Sequence, residues 1–177
     1  MSVVISGSSS GTITLDTPAV AGTNTITLPA STGTVLTTGS PQSGSVIQVV
    51  QSTSTTAFST TSASMVATGI SASITPKFST SKILVRMTVQ VASNANGAGI
   101  AIYRATTSIW SPNTFDGAGY YGIYPVIICL NNLEYLDSPA TTSSTTYNLY
   151  LASRSGLSST VGTNNAGTVI TLMEIAA

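Results

Sequence analysis

Residues 82–91 read KILVRMTVQV. Ile83, Val85, Met87, Val89 and Val91 recur at every second position, and Arg86, Thr88 and Gln90 fall between them. Successive side chains of an extended chain point to opposite faces, so this spacing makes one apolar face and one polar face. The stretch therefore reads as a half-buried β-strand. Working outward, the same signal returns. Residues 46–51 read as a strand, and 55–61 and 64–74 alternate small and apolar residues, with Gly69 as an expected bulge. Residues 93–99 read as a loop and 100–105 as another strand. Residues 110–119 are irregular. The nearly continuous apolar run at 120–130 predicts a strand covered on both faces. Tyr147, Leu149 and Leu151 alternate with Asn148 and Tyr150, and 168–175 is the last strand, apolar on both sides.

No window carries a helical period with caps. Some eight to ten short strands separated by turn residues, over roughly 130 residues, fit a β-sandwich of the jelly-roll kind. Composition agrees. Of 177 residues, 42% are hydrophobic and only 6% charged, against about a quarter charged in ordinary soluble domains. β-branched Val, Ile and Thr pack well on a pleated surface.

The beginning of the chain behaves differently. Residues 11–38 read GTITLDTPAVAGTNTITLPASTGTVLTT. Gly11-Thr12-Ile13-Thr14-Leu15 returns as Asn24-Thr25-Ile26-Thr27-Leu28 and, altered, as Gly33-Thr34-Val35-Leu36-Thr37. Each copy carries two large apolar side chains, whose burial is worth only a few kcal/mol. Ordering the backbone costs roughly 1–2 kcal/mol per residue. Such strands need partners, and a threefold axis shared with two sister chains supplies them. The scarcity of charge fits, because a charge near a symmetry axis meets its own copies. A Gly/Ser/Pro-rich linker at 38–44 marks a boundary. The expected organisation is thus all-β: a trimeric β-repeat segment with its linker at 1–44, then a jelly-roll-like β-sandwich at 45–177. Ile13, Leu15, Ile26, Leu28, Val35 and Leu36, with Ile170 and Leu172 of the last strand, are the expected trimer contacts.

Several function classes drop out. Net charge is zero, with five basic and five acidic residues, so no basic stripe exists to bind nucleic acid. The apolar run at 123–130 is too short to span a bilayer and is broken by Tyr124 and Pro125. The N-terminus has no secretory-signal pattern. The single cysteine, Cys129, forms no internal disulfide and reads as a small buried side chain. There is no histidine, which removes the commonest general base and metal ligand. Ser79-Thr80-Ser81-Lys82 matches S-x-x-K, but it lacks companion motifs and precedes a strand, so it reads as a turn. Asp116, Glu134 and Asp137 supply carboxylates for a formal glycosidase pair. Asp116-Gly117 reads more simply as a turn, and Glu134 and Asp137 as flanking a loop. No calcium-loop pattern is present. No catalytic residue, metal or cofactor is expected.

The 11–38 stretch resembles the short β-repeat in the N-terminal parts of tail fibres and related virion proteins of bacteriophages, especially those of marine and cyanobacterial hosts. SGSVIQVVQ (43–51), TAFSTTSASMVATGISASITPKFSTSKILVRMTVQV (56–91) and TVITLMEIAA (168–177) are similar to a C-terminal β-sandwich module of the same proteins. The resemblance implies a non-enzymatic structural protein on the virion exterior, a homotrimer in contact with other virion proteins. A short fibre or spike that aids host attachment is the leading reading. A capsid decoration protein is the alternative, and a polysaccharide depolymerase a minor one. Tyr103, Trp110, Phe115, Tyr120, Tyr121 and Tyr124 cluster in sequence. Among them Trp110 and Tyr121, with Asn113 and Asp116, are the candidate contacts to a host surface glycan, since aromatic rings offer apolar faces to sugar C–H groups. Lys77, Lys82, Arg86, Arg104 and Arg154 read as isolated, mostly solvated charges, with Arg86 placed to pair across an interface.

Overall fold

The computed structural model describes residues 3–16, 18–20, 22–23, 25, 27, 30, 32–33, 37, 39–93, 97–111, 127–154, 156–162 and 166–177. Two compact units emerge, Met1–Val35 and Leu36–Ala177. In the first, β1 (Val3–Ser6) and β2 (Thr12–Leu15) form an antiparallel hairpin with Ile5 opposite Ile13. The turn is closed by the Gly7 amide donating to the Gly11 carbonyl at 2.9 Å.

The second unit is a sandwich of two antiparallel sheets. Its strands are β3 (Val46–Ser54), β4 (Phe58–Thr60), β5 (Val66–Ile74), β6 (Lys82–Ser93), β7 (Ala98–Arg104), β8 (Thr107–Trp110), β9 (Ile127–Asp137), β10 (Thr145–Ser153), β11 (Ser159–Val161) and β12 (Thr168–Ile175). One sheet runs β5-β10-β7-β8. The other runs β3-β12-β6-β9, and beyond the end of β12 the short β11 continues along the same side of β6 and carries β4. Setting β4 and β11 aside, the chain crosses between the sheets at every step except the β7–β8 hairpin, and first and last strands lie side by side. That interleaving is the jelly roll, a double-sheet solution to exposed strand edges.

The alternation in 82–91 does what its spacing predicts. Ile83, Val85, Met87, Val89 and Val91 are all buried in the core. They meet Ile70, Ile74, Ile100, Ile102, Leu149 and Leu151 from the facing sheet. Residues 168–175 are the last strand as expected, and Ser79 and Thr80 form a turn that enters β6. Gly69 sits at φ +80°, left-handed geometry that suits a residue without Cβ. It lies in a bulge where 68–70 oppose Leu149 alone, and the Thr68 hydroxyl donates to the Leu149 carbonyl at 2.8 Å.

Three expectations are corrected. The strand expected at 120–130 does not end at 130: β9 continues to Asp137, and Ile128 and Leu130 are exposed on one face rather than covered on both. Residues 120–126 and the Cys129 side chain lie outside the described residues. Glu134 does not border a loop but lies within β9, whose last residue is Asp137. Ile170 and Leu172 are fully buried in the core of a single chain, so neither can touch a sister chain.

Candidate functional site

Three surfaces and two buried polar clusters carry the chemistry of the described residues. The hairpin comes first. Val4, Ile5, Ile13 and Leu15 are each more than half exposed. Ile5 pairs with Ile13, and Leu15 lies two residues further along the same face. Every residue described between 4 and 33 is exposed. Among the described residues the hairpin thus has an apolar side and no buried core. Ile26, Leu28, Val35 and Leu36 lie outside the described residues.

The second surface is the outward face of the β3-β12-β6-β9 sheet. Strand register lines up Val49, Met173, Leu84 and Leu136 as one row across four strands. Val49 and Leu136 are exposed, while Met173 and Leu84 are half-buried between them. The next row is Gln51, Thr171, Arg86 and Glu134. There Arg86 Nε lies 3.0 Å from Glu134 Oε2, both side chains being more than half exposed. Arg86 is therefore paired inside its own chain, in contrast to the pairing across an interface expected of it.

The third surface is the outward face of the β5-β10-β7-β8 sheet. Tyr103 and Tyr150 stack there with ring centroids 3.7 Å apart and planes 14° from parallel. Asn148 pairs with Tyr103 and Tyr150 with Ala101, so the rings are diagonal neighbours on adjacent strands. Asn148 Nδ2 donates to the Ala105 carbonyl at 2.9 Å. The Ser73 and Thr146 hydroxyls are bonded at 2.7 Å.

Between the sheets, the row Gln48, Glu174, Ile83, Asp137 closes one end of the core with two buried carboxylates. Glu174 Oε1 accepts the Lys77 and Phe78 amides at 2.7 and 3.2 Å, and Oε2 accepts Gln48 Nε2 at 2.6 Å. Burial opposes the charge on Glu174, but these donors outweigh it and hold the carboxyl below its usual range. The buried Ser81 hydroxyl, which has no hydrogen-bond partner of good geometry, adds to the same effect. At the other end of the row, Asp137 accepts Arg104 at 3.0 and 2.9 Å on its two oxygens and the Tyr147 hydroxyl at 2.7 Å. Burial, then the bond to Asp137 and its negative charge, push the Tyr147 phenol above its usual range. Arg104 is not the isolated solvated charge read from sequence. These clusters are complete in themselves: they tie β3, β12, β9, β7 and β10 together and present no reactive group.

Of the glycan contacts expected from sequence, Trp110 is half-buried and packs against the core, which takes it away from the surface role expected of it. Tyr121, Asn113 and Asp116 lie outside the described residues. The stacked Tyr103–Tyr150 pair was not legible as a pair. The outward parity of Tyr150 can be read from the alternation at 147–151, but the register of β10 on β7 cannot. Among the described residues no group of three or more His, Cys, Asp and Glu could hold a metal ion. No helix among them is long and apolar enough to cross a membrane.

Comparison with known proteins finds no matching family model and no matching curated protein. Among solved structures, the VP2 subviral particle of infectious bursal disease virus is similar at 15% identity, over 73% of this chain and 38% of that one, with a TM-score of 0.40. T=1 particles derived from the same virus are similar at 18% identity over 94% and 43%, with a TM-score of 0.40. The Gx strain of the virus gives 16% identity over 99% and 46%, with a TM-score of 0.38. The chain spans less than half the length of each. Likeness this slight carries no argument about function.

Proposed function

We propose that this chain is a virion structural protein of a bacteriophage, a homotrimer that forms a short exterior fibre or spike and contributes to host attachment. The observation that carries the reading is the hairpin: strands that leave Val4, Ile5, Ile13 and Leu15 each more than half exposed. An isolated two-stranded hairpin is marginal in water. Fully burying an Ile or Leu is worth roughly 1.5–3 kcal/mol, and sister hairpins around an axis provide that burial three times over. The sequence resemblance supports a phage exterior protein. The jelly roll adds support by analogy only, since that architecture serves viral shells and lectins alike and fold does not dictate function. The exposed Val49–Leu136 row offers a further aliphatic surface for neighbours in a particle, whether sister chains or other virion proteins.

The deciding measurement is the mass of the purified protein by sedimentation, combined with amide exchange of the hairpin. A trimer with protected β1 and β2 amides supports the proposal. A monomer whose Ile13 and Leu15 amides are protected would overturn it. Gold-labelled antibody on intact particles then locates the protein. Label at the tail or on spikes, with soluble protein competing for adsorption, supports attachment. Label spread over the head, with particles that burst more readily when the protein is missing, replaces attachment by capsid decoration.

A further inference from the structure

The two outward sheet faces of the sandwich differ in chemistry. Across β3-β12-β6-β9 the outward row is aliphatic. Across β5-β10-β7-β8 there is no Val, Leu, Ile or Met at the outward positions around the ring pair. Instead a two-ring aromatic block stands beside a floor of small residues. On β5 the outward positions are Ala67, Gly69, Ser71 and Ser73. A Cβ placed on Gly69 would meet nothing within 4 Å, so the space above that strand is open. Tyr150 on β10 stacks with Tyr103 of β7 on one side; on its other side lies β5, whose small outward residues, with Ala67 directly across from Tyr150, make a low floor, here called the trough.

We propose that this trough is a carbohydrate site, in which a neutral pyranose ring lies against Tyr150 of the Tyr103–Tyr150 stack. The face of an aromatic ring is electron-rich, and the C–H bonds on one side of a pyranose carry partial positive charge, so the two attract where water is displaced. Stacking against Tyr103 holds the Tyr150 ring before the ligand arrives, which lowers the ordering cost of binding. Polar groups stand around the rings at heights a sugar hydroxyl can reach. Ser71 pairs with Asn148 across the strands, and the Asn148 amide is oriented by its bond to Ala105, which leaves its oxygen to accept. The Ser73–Thr146 hydroxyl pair lies one step further.

Charge decides which sugar. The Arg104 guanidinium, next to Tyr103 in the chain, is turned inward onto Asp137, and no outward position of β5, β10 or β7 on this face is charged. A phosphorylated or acidic sugar would find no counter-charge on those three strands, whereas a neutral hexose needs none. A sister chain is disfavoured as the occupant because aliphatic surface, which would drive such packing, is on the opposite sheet. The proposal deepens the attachment reading and rests on it only for the source of the sugar, a host surface polysaccharide.

Saturation-transfer NMR on the full-length protein tests it, with the methyl glycopyranosides of glucose, galactose, mannose and N-acetylglucosamine as probes and methyl glucuronide as the charged control. We expect transfer to the ring C–H protons of at least one neutral glycoside and little to the glucuronide. Tyr150→Ala should reduce that transfer at least tenfold. Ala67→Leu, which places a larger side chain directly across from Tyr150 and covers its open side, should do the same, and Met173→Ser on the opposite sheet should not. Circular dichroism and sedimentation of each variant show that fold and mass are kept. The site is refuted if no neutral glycoside is saturated, if the glucuronide is preferred, or if transfer survives both Tyr150→Ala and Ala67→Leu. A trimer on the particle exterior that saturates no sugar would overturn this site and leave the assembly reading standing.

Discussion

Replacing Glu174 by Gln tests whether the polar row at the end of the core is a charged clasp or a passive filler. The side chain is fully buried, and its two oxygens accept three bonds: the Lys77 and Phe78 amides on one, Gln48 Nε2 on the other. Gln48 Nε2 is itself fixed by the Thr75 carbonyl at 2.7 Å. In Glu174→Gln, one oxygen still receives the two amides, now as neutral bonds. The new NH2 group faces the Gln48 NH2 group, donor to donor. Bonds to charged groups are worth about 1.5–3 kcal/mol and neutral ones about 1, and an unsatisfied buried donor costs about 1–3. Relief from burying a charge offsets part of this, leaving a loss of about 2–3 kcal/mol. For a chain of this size that is a fall in Tm of roughly 5–10 °C.

The pH dependence carries the sharper sign. The folded carboxyl titrates below its usual range, so the unfolded chain takes up the proton first. The contribution of Glu174 is therefore whole above the unfolded value and is lost as pH falls through the folded one. Urea unfolding followed by Trp110 fluorescence, at fixed protein concentration and from neutral to about pH 3, should show the gap between wild type and Glu174→Gln closing toward acid. A variant within about 0.5 kcal/mol of wild type at neutral pH, or a gap that widens in acid, would refute the reasoning.

The same geometry fixes three further outcomes. Tyr147→Phe removes a buried 2.7 Å bond to Asp137 and should cost about 1–2 kcal/mol in urea titrations; in an alkaline absorbance titration of the native protein, the tyrosine that resists ionisation should vanish from that variant. A double-mutant cycle on Arg86 and Glu134 should return less than about 1 kcal/mol and shrink with salt, because the pair is exposed. Gly162→Ala should destabilise more than Gly69→Ala in thermal melts: both glycines have positive φ, but only at Gly162 would the new Cβ come to 2.8 Å of a backbone oxygen, that of Thr56, so Gly69→Ala should lose only about 1 kcal/mol.

Local pattern carried the parts of the fold that local pattern can carry. The buried face of β6, the limits of β12, the bulge at Gly69 and the turn before Lys82 are set by neighbours within a few residues, where side-chain alternation and backbone sterics decide. Charges are another matter. Arg104 meets Asp137 and Tyr147, and Glu174 meets Gln48 and the 77–78 amides, across sequence separations that no window spans. Read one at a time, such residues look solvated. β9 fails for a related reason. The expected strand stopped at 130 because Glu134 and Asp137 read as flanking a loop. In the sheet these are one strand, because Leu133 and Asp137 turn inward and Glu134 turns outward onto Arg86. The same parity explains Ile170 and Leu172: a strand apolar on both sides does not say which side is the core. The Tyr103–Tyr150 stack depends on cross-strand register and was invisible for that reason.

The seam where the jelly roll begins and ends bears on mechanics. β3 and β12 run side by side in opposite directions, with Val46 across from Ile175, and the Gly44 and Ser45 backbone is bonded to Ala176. Pulling residues 45 and 176 apart would peel that seam open rung by rung, each bond bearing the full load in turn, rather than shearing all of them together. The sandwich is thus a poor link in a chain under tension but a sound knob at the end of one, where strain need never run from one side of the seam to the other.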